Sequence, residues 1–123
     1  MYYRMSGGSK DHRFTVQEPW FSHIKSGKKT VEGRLKRGRF EHIGNGDKIT
    51  WVNRETNEEV HTEVTKHDTY KNVDAMIDKV GAKTLLPGVK TKEEAKEVYD
   101  KFYSKERQDK HEAIALHLKV IDN

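Results

Sequence analysis

At 123 residues, with 24 Lys and Arg against 20 Asp and Glu, the chain has the size of one domain and a formal net charge of +4. The lack of cysteine excludes disulfides and thiolate-held zinc and points to a reducing compartment, the cytoplasm, or the nucleus in a eukaryote. No apolar run approaches the ~20 residues of a membrane helix, and the N-terminus lacks the apolar stretch of a signal peptide.

Residues 1–11 hold a Gly/Ser cluster and are expected to form a mobile arm, in which Tyr2 and Tyr3 beside Arg4 offer rings for a base. A single domain then runs over 12–123. Phe14 and Val16 alternate with polar neighbours and predict a first strand over Arg13 to Gln17. Pro19 suits the first turn of a short helix in which Trp20 and Ile24 share a face, and Gly27 is placed to end it. Lys28 to Leu35 reads as a second strand, with Thr30, Glu32 and Arg34 on one face and Lys29, Val31, Gly33 and Leu35 on the other.

A Gly44-Asn45-Gly46-Asp47 turn leads to a third strand, Lys48 to Val52, and a polar hairpin leads to a fourth over Glu58 to His67. Asn72 is a cap for a helix carrying Val73, Met76, Ile77 and Val80, with Gly81 as its stop. Residues 84–88 form a connector. Thr91 and Glu94 have the spacing of a capping box ahead of Ala95, Val98, Tyr99 and Phe102. A charged loop precedes a closing strand with Ile114, Leu116, Leu118 and Val120 on one face. The fold class predicted is α+β: a small, mixed but mainly antiparallel sheet curled toward a barrel, with about three flanking helices.

The charge is unevenly spread. Between Lys25 and Arg39 lie seven bases (Lys25, Lys28, Lys29, Arg34, Lys36, Arg37, Arg39) and one acid, Glu32, so this window carries +6 and the remainder −2. Such a local field invites a polyanion, and the arginine forks suit phosphate. Glu32 and Arg34 are neighbours on one strand face, and the field should keep the carboxylate ionised. It then serves either as a base-reading acceptor, as a proton acceptor, or as a plain ion-pair partner. Trp20 and Tyr103 offer rings for stacking. Glu94 is either a general base or simply the partner in its capping box. The seven histidines have no metal spacing, and neither metal nor cofactor is expected.

Gln17-x-Pro19-Trp20, followed by Ile24-x-x-Gly27-x-Lys29-Thr30-Val31-Glu32-Gly33-Arg34, resembles the ASCH domain of the PUA-like superfamily, as do Gly46-Asp47-x-Ile49 and Ala113-Ile114-Ala115-Leu116. The resemblance covers about residues 12 to 121. It implies a small β-barrel with helices on its sides and RNA or nucleotide binding in a cleft at the helix–strand junction. The ligand-binding residues would be Trp20, Lys28, Lys29, Thr30, Glu32, Arg34, Lys36, Arg37, Arg39 and Tyr103. Some relatives are amidohydrolases of 4-acetylcytidine, others ribonucleases, which makes hydrolysis the alternative. Lys29 and Glu94 match the amidohydrolase lysine and glutamate; Glu32 stands where that type has its threonine, and is the third catalytic candidate. A monomer is the default expectation.

Overall fold

The computed structural model describes residues 10–121. In chain order the elements are β1 (Asp11–Val16), α1 (Trp20–Ser26), β2 (Val31–Leu35), a 3-10 helix (Gly38–His42), β3 (Lys48–Asn53) and β4 (Glu59–Tyr70). There follow α2 (Val73–Val80), α3 (Ala82–Leu85), α4 (Lys92–Phe102), α5 (Lys105–Lys110) and β5 (Ala113–Val120). The strands form one curled sheet in the order β1-β3-β4-β5-β2. Only the β1–β3 pairing is parallel; the other three are antiparallel, as a mainly antiparallel half-barrel requires.

Alternation assigns the side chains to two cores. Phe14, Val16, Ile49, Trp51, Val60, Val64, Ile114, Leu116 and Leu118 fill the inside of the curl, together with Phe21 and Ile24 of α1. Trp51 is wholly buried there, and its indole N–H donates to Thr62 Oγ1 at 3.1 Å, which satisfies its one polar atom. On the other face Val31, Leu35, Ala113 and Ala115 pack against Met76, Ile77, Leu85, Ala95 and Tyr99 from the helices. The interior strand β5, between β4 and β2, is thus buried on both sides, with branched residues inward and alanines under the helices.

The caps act where the sequence places them. Gly27 closes α1 with φ +86, the left-handed conformation that glycine adopts without steric cost. The Asn72 side chain accepts from Ala75 N, and Thr91 and Glu94 form the complete capping box of α4. Buried Asp47 fixes the turn before β3 by accepting from Gly44 N and Lys10 N, both at 3.0 Å, and pairs with His12 at 2.9 Å.

Four expectations change. Asp11 begins β1 and Lys10 is bonded to the fold, so neither belongs to the arm expected over 1–11; residues 1–9, with Tyr2, Tyr3 and Arg4, lie outside the described residues. Pro19 stands at the cap and Trp20 opens α1. Among the described residues five α-helices flank the sheet where about three were expected. The additions are α3, a single turn too short to have a period, and α5, which buries no residue and so has no apolar stripe. Finally β2 starts at Val31 and not at Lys28, because the chain is still turning out of α1: Lys29 N donates to His23 O at 2.9 Å. No helix among the described residues is long and apolar enough to cross a membrane.

Gly33 sits where β2 meets the helices. A Cβ there would lie 2.6 Å from Met76 Cε and 2.7 Å from the Tyr99 hydroxyl. Gly33→Ala is expected to cost roughly 1–3 kcal/mol through overpacking, measured by urea unfolding.

Candidate functional site

The turn after α1 delivers Lys29 into the protein, where it is only 2% exposed. Its Nζ donates to Val31 O at 2.7 Å, to Leu85 O, and to Glu32 Oε1 at 3.1 Å. An ammonium has three hydrogens, so these three acceptors use its whole donor capacity. Glu32 Oε2 in turn accepts from Arg34 Nε at 2.7 Å. Arg34 Nη2 continues the chain to Thr15 O of β1 at 3.1 Å. The guanidinium also lies over the rings of Phe40 and Trp51, 5.2 and 5.3 Å from their centroids.

Burial by itself would raise the Glu32 pKa, but Lys29 and then Arg34 outweigh it and hold the carboxyl below its ordinary value. Burial pushes the Lys29 ammonium down, with Glu32 opposing. Arg34 is raised, since the nearby carboxylate overcomes the effect of its own burial.

β1 and β2 are the two edges of the sheet order, and Arg34 spans the gap between them by side chain. In that gap is a cavity of about 210 Å³. Thr15, Val16 and Gln17 line it from β1 and the residue after it, Glu32, Gly33 and Arg34 from β2, and Trp20 from α1. Tyr99, Phe102 and Tyr103 close it from the end of α4, with Arg54 and Leu86 from loops. Tyr99 is buried, and among the described residues its hydroxyl has no hydrogen-bond partner. Burial, reinforced by the charge of Glu32, pushes its pKa well up. Burial raises Tyr103 as well, with Arg34 opposing.

Trp20, Glu32, Arg34 and Tyr103 are therefore brought together. The other expected residues are not on the cavity wall. Lys29 lies behind Glu32 and, because it precedes the strand, escapes the alternation that had set it on the opposite face. Thr30 uses its carbonyl to accept from Leu118 N. Lys28 and Arg37 are exposed, Lys36 reaches Thr69 Oγ1 at 3.2 Å, and Arg39 donates to Arg13 O while lying over Phe14. The Glu94 carboxylate accepts from Lys90 N and Thr91 N at the far end of α4. Sequence reasoning missed Thr15, Gln17 and Arg54, for which no local signal exists. It saw Tyr99 and Phe102 only as parts of an apolar stripe.

The ASCH domain family matches residues 14–122, most of the chain. The chain belongs to the ASCH domain family. Two solved structures are similar to this ASCH domain over nearly their whole length. Hypothetical protein PH0355 is 33% identical with a TM-score of 0.82, covering 90% of this chain and 99% of that one. Protein PF0455 from Pyrococcus furiosus is 30% identical with a TM-score of 0.74, covering 92% and 99%. The ASCH crystal structure from Zymomonas mobilis, 16% identical with a TM-score of 0.61 over 87% of this chain and 65% of that one, shares the fold. No curated protein matches.

The ion pairs that hold the Glu32 carboxyl below its ordinary pKa should make the ASCH domain acid-sensitive. Its pairing stabilises the fold above the unfolded carboxylate pKa, and that contribution is lost as pH falls through the lower folded value. Asp47, held low by Gly44 N, His12 and Lys10 N against its burial, acts in the same direction. Glu32→Gln should cost about 3–5 kcal/mol at pH 7, because it leaves buried Lys29 and half-buried Arg34 without their carboxylate. It should also show a flatter decline of stability below about pH 4 than the parent chain, measured by denaturant titration across pH.

Proposed function

We propose that this ASCH domain binds single-stranded RNA and takes one nucleotide into the cavity between β1 and β2. The observation that carries the reading is the make-up of that cavity. A paired, ionised carboxylate and an arginine form its floor, and Trp20, Phe102 and Tyr103 supply aromatic surface at its walls. Bases taken out of a stack are held in this way, by rings on their faces and polar groups on their edges. A volume of about 210 Å³ is below the ~300–1,000 Å³ of drug-sized ligand pockets, which suits one base better than a longer segment. Family membership supports RNA as the polymer.

The phosphates belong outside. Glu32 would repel an anion entering the cavity, whereas Arg54 at its rim and exposed Lys28 and Arg37 are available to the backbone. Arg34 is then a base contact in this reading, and Lys29 serves it indirectly by holding Glu32. The cytoplasm, a reducing compartment, fits a chain without cysteine.

Hydrolysis of 4-acetylcytidine or of RNA has less support. Glu32 occupies the threonine position of the amidohydrolase type, the Lys29 ammonium is committed to three acceptors, and Glu94 is committed to its cap.

Fluorescence anisotropy with a short labelled RNA tests the proposal. Single strands should bind better than duplex. Phe102→Ala, at an exposed position, should weaken binding by roughly 1–3 kcal/mol through lost stacking. Arg54→Ala should lower the slope of log affinity against log salt by about one. Unchanged binding in both variants would count against the cavity, and turnover of 4-acetylcytidine above that of Glu32→Gln would restore the hydrolase reading.

A further inference from the structure

We infer that the 3-10 helix is a removable guard on the free edge of β1, and that what it holds off is the same edge of a second copy of this chain. The inference goes beyond the nucleotide reading and does not depend on it.

The pairing of β1 with β3 decides which backbone groups are left over. Lys48 N donates to Lys10 O at 2.8 Å, so the even residues of β1 address β3. The odd residues, Asp11, Arg13 and Thr15, turn their N–H and C=O the other way, and β1 ends the sheet on that side. Such a row of backbone groups is a template for another strand. Among the described residues two arginines answer it. Arg34 donates to Thr15 O from across the seam and Arg39 donates to Arg13 O, both at 3.1 Å. Each fills an acceptor only, because a guanidinium has nothing to offer an N–H.

The two guards are unequally fixed. Arg34 is held from its other side by Glu32 Oε2 at 2.7 Å and lies over Phe40 and Trp51. Arg39 is exposed and belongs to a 3-10 helix that buries no residue and has no side-chain cap. Beyond its one bond to the edge, that helix grips the strand through Phe14. The Arg39 guanidinium lies 4.7 Å from the Phe14 centroid, and the Phe40 ring stacks on Phe14 at 4.2 Å. The end of the edge toward Asp11 is therefore the end that opens.

The charges at that end name the occupant. Asp11 and Arg13 are both exposed and, two residues apart, share one face of the strand. Antiparallel pairing about a two-fold axis at His12 hydrogen-bonds the odd residues and sets each Asp11 opposite Arg13 of the partner subunit. Two cross-strand ion pairs then form, as a self-complementary edge requires. Among the described residues Asp11 has no salt bridge of its own, while Arg13 meets Glu59 at 2.5 Å.

Sedimentation velocity over a concentration series, with circular dichroism to check the fold, tests the inference on the full chain. The parent should stay a monomer, and Arg39→Ala should rise toward about twofold in mean mass. Two second substitutions in the Arg39→Ala chain should return it to a monomer. Arg13→Pro removes an outward N–H and none of the β3 ladder. Asp11→Lys, at the exposed first residue of the strand, sets like charges opposite each other and keeps the test decisive if the proline variant does not fold. A monomeric Arg39→Ala chain, a parent that is already dimeric, or a dimer that survives Asp11→Lys would overturn the inference. RNA binding is not read in any of these arms, so that outcome would leave the nucleotide reading standing.

Discussion

Glu32 is buried between Lys29 and Arg34, and much of the seam is arranged so that this carboxylate stays ionised out of water. Desolvating three charged groups is expensive, and Coulombic attraction offsets it only when the remaining hydrogen-bonding capacity is also met. The backbone meets it. Val31 O and Leu85 O complete the ammonium, and Thr15 O takes a guanidinium N–H. Each of those carbonyls belongs to a different part of the fold, so one anion ties β2 to α3 on one side and to β1 on the other. The result is an acceptor whose position is fixed before any ligand arrives, which avoids an ordering cost on binding.

The same arrangement explains why a cavity exists at all. β1 and β2 are edge strands, and edges normally pair or are covered. Backbone pairing between them would complete a barrel and fill the gap. A side-chain bridge from Arg34 holds them near each other while the ends of α1 and α4 cover what remains. The cavity is the space left between a sheet that nearly closes and the helices that roof it.

Much of this was legible in the sequence, and for local reasons. Alternation in β3, β4 and β5 carries its own burial pattern, and Asn72, Thr91 and Glu94 act within their own turns. Glu32 and Arg34 sit on one face because they lie inside a true strand. Lys29 was placed on the wrong side because two-residue periodicity was extended into a turn, where it has no meaning. The parallel pairing of β1 with β3 and the approach of α4 to β2 depend on long-range packing, for which no local spacing is a signal. Tyr99 was a stripe residue in the sequence. Its interest comes from what its hydroxyl lacks, and only three-dimensional placement reveals that.

The capping box locks α4 at Thr91, whereas the cavity meets the helix at Tyr99, Phe102 and Tyr103, some eight residues or ~12 Å further on. The anchor and the working end are therefore physically separate. One wall of the cavity belongs to the sheet, where any exchange disturbs a buried charge balance; the opposite wall is the last turn of a helix secured elsewhere. Phe102 is exposed to 41% and Tyr103 only partly buried, so neither underpins the core as Glu32 does. The scaffold thus works like a tool with an interchangeable jaw: new ligand preferences can be written on one helical turn while the fixed jaw and the rest of the fold stay as they are.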